Sequence, residues 1–147
     1  MQHRNVIIFD IDGTLSDCAH RQHFLAGKKK DWKSFFEHAE HDRPVEEMSE
    51  LLNTLYASRK FRIILCTGRG EEMRKSTEVW LNKNQIPYES LLMRPLKDRR
   101  QDAIVKKEML DAIGAENVLF AVDDRQQAVD MWRRNGVLCL QCAEGNF

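Results

Sequence analysis

The chain has 147 residues, enough for one domain whose core needs no disulfide or metal staple. Apolar residues make up 42% and charged residues 31%, which excludes a disordered chain, and no apolar run approaches the ~18 residues of a membrane span. The 23 basic and 23 acidic residues cancel, so attraction to a polyanion has to come from local charge.

The first apolar run, NVIIF (5–9), is predicted as a strand and passes at once into Asp10-Ile11-Asp12-Gly13-Thr14. Residues 16–43 are polar and are predicted to form two short helices, a small cap or flap inserted after that strand. After Pro44, the stripe Val45, Met48, Leu51, Leu52 and Leu55 predicts a helix. FRIILC (61–66) is the second strand, followed by a helical stripe of Met73, Thr77, Trp80 and Leu81. ESLLM (89–93) is the third strand, and Val105, Met109, Ala112 and Ile113 form the next stripe, stopped at Gly114. NVLFAV (117–122), the stripe Ala128, Val129, Met131 and Trp132, and GVLCL (136–140) complete the chain, with Gly136 at the last helix stop. The strands are apolar throughout instead of alternating, which marks strands covered on both faces, as in a parallel sheet. Strands alternating with helices give an α/β three-layer sandwich, here one domain over residues 1–147. In such a sheet the carboxyl ends of the strands share one rim where ligands bind, so the loops after residues 9, 66, 93 and 122 should meet.

Those loops carry unusual polar groups. Asp10 and Asp12 are in the first and Thr67, Gly68 and Arg69 in the second. Asp102 and Lys106 are one helical turn apart on one face, and Asp123 and Asp124 follow the fourth strand. Asp10, Asp12, Asp123 and Asp124 crowded on one rim repel each other, and a hard divalent cation offsets that repulsion. Mg2+ prefers oxygen ligands and keeps room for a phosphate oxygen. Lys106 and Thr67 supply the cation and hydroxyl that a phosphate requires, and Gly13 and Gly68 let backbone N–H groups come close to the anion. Taken singly, Asp-Gly is a common turn and an Asp pair an ordinary helix cap.

In order, DIDGT, the apolar run ending in TGR, the downstream Lys106 and the apolar run ending in VDD resemble the four motifs of the haloacid-dehalogenase (HAD) phosphohydrolase superfamily. The resemblance implies a Rossmann-like sheet of order 5-4-1-2-3 and an aspartyl-phosphate mechanism. It implies that Asp10 is the nucleophile and Asp12 the general acid, a role suited to a pKa raised by neighbouring carboxylates. It further implies that Thr67 binds phosphate, that Lys106 neutralises nucleophile and phosphate, and that Asp10, the Asp12 carbonyl and Asp124 ligate Mg2+ with Asp123 close behind. The second acid favours a phosphatase over a dehalogenase, because halide leaves without a proton.

From Asp102 to Phe147 the chain is similar to the 3′-phosphatase domains of bacteriophage-type polynucleotide kinase-phosphatases. That similarity implies binding roles for Arg21, Arg69 and Asp102, and a 3′-phosphate at a DNA or RNA end as substrate. No G-x-x-x-x-G-K-[ST] occurs, so 5′-kinase activity is not expected, and a separate kinase or ligase in a repair pathway is the expected partner. Six basic residues between Arg94 and Lys107 and the patch Lys28, Lys29, Lys30 and Lys33 offer local positive charge, with Trp32 and Phe35 as stacking or packing groups. A mononucleotide phosphatase and a non-catalytic module that binds phosphorylated ends remain as alternatives. His20, His23, His38 and His41 are spaced too loosely for a metal set, and Cys139 and Cys142 lack the partners of a zinc site. A cytoplasmic protein without membrane contact is expected.

Overall fold

The computed structural model describes residues 3–145. The strands are β1 (Val6–Phe9), β2 (Ser16–Asp17), β3 (Arg43–Pro44), β4 (Arg62–Gly70), β5 (Ser90–Arg94), β6 (Val118–Asp123) and β7 (Cys139–Gln141). The helices are α1 (Trp32–Glu37), α2 (Glu46–Ala57), α3 (Arg74–Lys83), α4 (Asp102–Ile113) and α5 (Gln126–Arg134). Five strands form one parallel sheet in the order β5-β4-β1-β6-β7. With β2 and β3 left out of the count this order reads 3-2-1-4-5, which is 5-4-1-2-3 from the other edge. What differs in detail is the separate antiparallel ribbon of β2 and β3, which pairs Ser16 with Pro44 and Asp17 with Arg43.

The unbroken apolar runs follow from two covered faces. Successive side chains of a strand point to opposite sides. Val6 and Ile8 therefore pack with Ile64, Val105, Met109, Val129 and Trp132, beneath α4 and α5. Ile7 and Phe9 pack with Ile63, Leu65, Leu52, Trp80 and Leu81, beneath α2 and α3. Leu52 has no exposed surface, and truncating such a side chain costs ~2–5 kcal/mol. Glu46 and Glu47 open α2 and Arg133 and Arg134 close α5, each favourable to the helix dipole. Gly114, at φ +88°, ends α4 in a conformation few other residues adopt.

The β2–β3 ribbon closes the neck of residues 16–44. Within it a 3-10 turn (Ala19–Leu25), α1 and a second 3-10 turn (Ala39–His41) wrap a small core of Cys18, Leu25 and Phe35. Asp31 caps α1, accepting the Ser34 N–H at 3.0 Å. No helix among the described residues is long and apolar enough to cross a membrane.

Candidate active site

β1 ends at Phe9, and Asp10 is tied to the neighbouring strand by its N–H, which donates to the Val122 carbonyl at 3.0 Å. The chain then turns tightly, with Gly13 at φ +84° and its N–H donating to the Ser16 carbonyl. A Cβ on Gly13 would overlap the Asp124 carboxylate, so only glycine lets these two loops meet. Between Cys66 and Gly70 the pairing of β4 with β5 shifts register, freeing Thr67, Gly68 and Arg69 from the regular ladder at the rim. Gly68 lies against Asp102 closely enough that a Cβ there would overlap Asp102 Oδ1.

Lys106 comes up from α4 into the centre of the acidic cluster. Its Nζ lies 3.0 Å from Asp10 Oδ1, 2.8 Å from Asp123 Oδ2 and 3.2 Å from Asp102 Oδ2. Burial disfavours a charged lysine, but the charges of Asp10, Asp102 and Asp123 outweigh it and hold Lys106 protonated well above the ordinary lysine range. Burial and the charge of Asp123 push the Asp10 pKa well up, against the pull of Lys106. The same two causes push Asp124 up to about 6.

Asp10, Asp123 and Asp124 each offer a carboxylate oxygen, all within 4.8 Å of one another. An all-oxygen set with excess negative charge suits a hard cation such as Mg2+. Both Asp123 oxygens already accept bonds from the protein. Oδ2 accepts from Lys106 and from Trp132 Nε1 at 3.1 Å, and Oδ1 from the N–H groups of Asp124 and Arg125. Among the described residues Asp124 is held more loosely, by the Thr14 hydroxyl at 3.5 Å and by the Asp10 carboxyl, which leaves it the freer ligand for a cation. Thr14 Oγ1 also lies 3.4 Å from Asp10 Oδ2, a linking role that sequence reasoning did not assign although Thr14 sits in the first motif.

Asp12 differs from the expectation. Burial raises its pKa, but the charges of Arg69 and then Arg21 outweigh burial and hold the carboxyl ionised, well below the usual carboxylate range. The neighbouring carboxylates were expected to raise it; two guanidiniums that stand closer reverse the sign. Arg69 donates to Asp12 from Nη2 at 2.7 Å and from Nε at 3.0 Å, and Arg21 donates from Nη2. Both arginines are buried, with their guanidiniums on the Asp12 carboxylate. Behind them stands Asp42, which accepts from Arg21 Nε at 2.9 Å and lies 2.7 Å from His20 Nε2. No sequence signal marks Asp42, which closes the insertion just ahead of β3.

Thr67 is fully buried, its Oγ1 accepting the Arg69 N–H at 3.1 Å. Asp102 is buried too, and among the described residues its Oδ1 has no hydrogen-bond partner, although Arg94 Nη2 stands 3.6 Å away. The cleft over these groups is lined by the acidic residues Asp10, Asp12, Asp102 and Asp124 together with the aromatic residues Trp32, Phe35 and Phe36. A wider groove on the outer side of α3, lined by Tyr56, Val79, Ile86 and Tyr88, holds none of this chemistry.

Much of the local positive charge is neutralised within the fold. Arg94 donates to the Gly68 and Arg100 carbonyls, Arg100 pairs with Asp98 and Glu108, and Lys107 pairs with Asp111. The insertion histidines do not converge: His38 Nδ1 meets the Ser34 carbonyl and His41 meets Glu40. The cysteines are free, and burial pushes the Cys139 thiol up to about 12 and Cys142 up to about 11.

Against known proteins, the model of the polynucleotide kinase PNKP phosphatase domain matches residues 4–147. A chain in the Pnkp1/Rnl/Hen1 complex is 34% identical, with a TM-score of 0.83, over 100% of this chain and 48% of its own length. A second chain, in the Pnkp1/Rnl/Hen1 RNA repair complex, is 35% identical, with a TM-score of 0.82, over 99% of this chain and 44% of its own. This chain thus spans slightly under half of either relative. A haloacid-dehalogenase-like hydrolase of Streptococcus pneumoniae shares the fold at 14% identity, with a TM-score of 0.65 and 96% and 85% of the two chains covered. A match over nearly the whole chain, on a site of clustered aspartates around one buried lysine, leads to one conclusion: the chain belongs to the polynucleotide kinase PNKP phosphatase-domain family and is a HAD-type phosphatase.

Proposed function

We propose that the chain removes 3′-phosphate from DNA or RNA ends, with Mg2+ and through a phosphorylated Asp10. The reading is carried by one arrangement, Lys106 Nζ within 3.2 Å of three carboxylates beside the Asp10, Asp123 and Asp124 oxygens. Pure binding of an anion does not call for four acidic groups on its floor. Asp10, Asp124 and the Asp12 carbonyl would hold Mg2+, whose charge offsets the repulsion between these groups and the incoming phosphate. Lys106 draws Asp10 toward its ionised form against burial and Asp123, and the charge of a bound cation would add to that pull. An Asp10 oxygen attacks phosphorus, the phosphorus–ester oxygen bond breaks, and Asp12 gives its proton to the leaving 3′-oxygen. Asp12 is ionised in the resting site; the dianionic phosphate raises its proton affinity on entry, countering Arg21 and Arg69, and Asp12 takes up from solvent the proton that it then passes to the leaving oxygen. Asp12 then takes a proton from water, whose oxygen attacks phosphorus and frees both inorganic phosphate and Asp10.

The 3′ preference rests on the similarity of residues 102–147 to 3′-phosphatase domains. The RNA repair complex that contains a relative supports a repair role beside a separate kinase or ligase. The test is phosphate release, with and without Mg2+, from 3′-phosphorylated DNA and RNA, cyclic-phosphate ends, 5′-phosphorylated ends and free nucleotides. Mg2+-dependent turnover on 3′ ends, abolished in Asp10→Asn, is expected. Faster turnover of a 3′-mononucleotide than of an oligonucleotide would make the chain a nucleotidase instead.

A further inference from the structure

Trp32 differs from the other two tryptophans of the chain. Trp80 and Trp132 are buried, 4% and 0% exposed, whereas Trp32 is only partly covered and lines the cleft beside Asp10 and Asp124. Its neighbour Phe35 does structural work, fully buried with the Arg21 guanidinium 4.2 Å from its ring. Trp32 is held in place from inside the insertion, edge-on to Phe35 and stacked near Phe36. The Arg125 guanidinium, on the loop after Asp124, lies 5.3 Å from its ring. Lys28, Lys29 and Lys30 precede it on an exposed turn, with Lys30 Nζ 5.8 Å from the same ring.

We propose that Trp32 forms a nucleobase subsite, on which the terminal base of a polynucleotide stacks while its 3′-phosphate sits over Asp10. The proposal rests on the function proposed above and adds how a polynucleotide end is distinguished from a bare sugar phosphate. A nucleoside carries its base one sugar away from the 3′-phosphate, and Trp32 lines the same cleft as Asp10 and Asp124. Stacking on one indole accepts any base, because every base has a π face. Arg125 adds a planar cation beside the indole, and lysines 28–30 meet the next phosphates along the strand. The site therefore reads the presence of a base, not its identity.

Two measurements test this. Turnover is compared on two oligonucleotides, one with an ordinary 3′-phosphorylated nucleotide at its end and one with a 3′-phosphorylated abasic sugar. The wild-type protein should favour the base-bearing end by about tenfold in kcat/KM, the scale of a single stacked base. In Trp32→Ala that ratio should fall to about one, and Trp32→Phe should restore most of it. Separately, Asp10→Asn is titrated with the 3′-phosphorylated oligonucleotide while tryptophan fluorescence is read. Quenching that disappears in Asp10→Asn/Trp32→Phe supports the subsite, because the two remaining tryptophans are buried. Phosphatase activity with no preference for a base, and with no Trp32-dependent quenching, overturns the subsite and leaves the phosphatase reading intact. Absence of turnover on every 3′ end overturns the phosphatase reading, and the quenching then decides the base site alone.

Discussion

Replacing Asp42 with asparagine isolates the charge balance behind Asp12. The Asp42 side chain has no exposed surface, and Arg21 donates to both of its oxygens, at 2.9 and 2.5 Å. Arg69 Nη2 lies 3.8 Å away. Two guanidiniums thus face two carboxylates, Asp12 and Asp42. Asparagine keeps the shape and deletes one negative charge. Breaking a buried pair costs ~3–5 kcal/mol, and the amide oxygen still accepts one Arg21 bond, so the low end, ~3 kcal/mol, applies. At ~2–4 °C per kcal/mol for a chain of this size, Tm should fall by ~6–12 °C. Catalysis suffers separately. Asp12 alone then answers two cations, is protonated less often and is a weaker base. Positioned acid–base catalysis contributes ~10²–10⁴-fold, so turnover of a 3′-phosphorylated oligonucleotide should fall by ~10². An aryl phosphate with a leaving group that needs no proton separates the steps. Its first-turnover burst should survive in Asp42→Asn while its steady state falls, because hydrolysis of the phosphorylated Asp10 still needs Asp12. Equal loss of burst and steady state would mean that Asp42 only supports the fold, and no loss at all would refute the charge-balance reasoning.

Gly13→Ala should keep the secondary structure by circular dichroism yet lower turnover by ~10², since its Cβ displaces Asp124 by ~1 Å; unaltered turnover would refute that close approach. The metal-free protein should lose stability as pH rises from about 4 to 6, because Asp124 titrates at about 6 when folded against 3.8 ordinarily, so the folded state holds the extra proton in that window. Asp12 acts oppositely but only at lower pH, its folded carboxyl lying below the usual range. Mg2+ should therefore raise Tm more at pH 7.5 than at pH 5, and an equal rise at both would contradict the site. Trp132→Phe removes the indole N–H from Asp123, a bond to a charged acceptor worth ~1.5–3 kcal/mol, and an unchanged denaturant midpoint would count against it.

The fold was legible because burial on two faces leaves a local mark. NVIIF and FRIILC are apolar at every position, and a parallel sheet is the common way to cover both sides. The rim was legible for the same reason, because residues that follow such strands are bound to gather at one end. Asp10, Lys106 and Asp124 could thus be placed together from 114 residues apart along the chain. Less legible was the destination of each charge. Arg21 and Arg69, nine and 57 residues from Asp12, turn their guanidiniums onto its carboxylate, and Asp42 completes the quartet from the far end of the insertion. The basic run from Arg94 to Lys107 looked like a surface for phosphates and is largely paired within the fold.

Apolar periodicity and motif order are written along the chain, so the sequence by itself determined the sheet, its rim and the acidic centre. Coulomb interaction depends on distance in space, and burial sets how strongly it acts. Only the tertiary structure therefore decided that Asp12 rests ionised between two arginines, that Asp42 balances them, and that Trp32 stays partly exposed at the cleft while Phe35 beside it is buried.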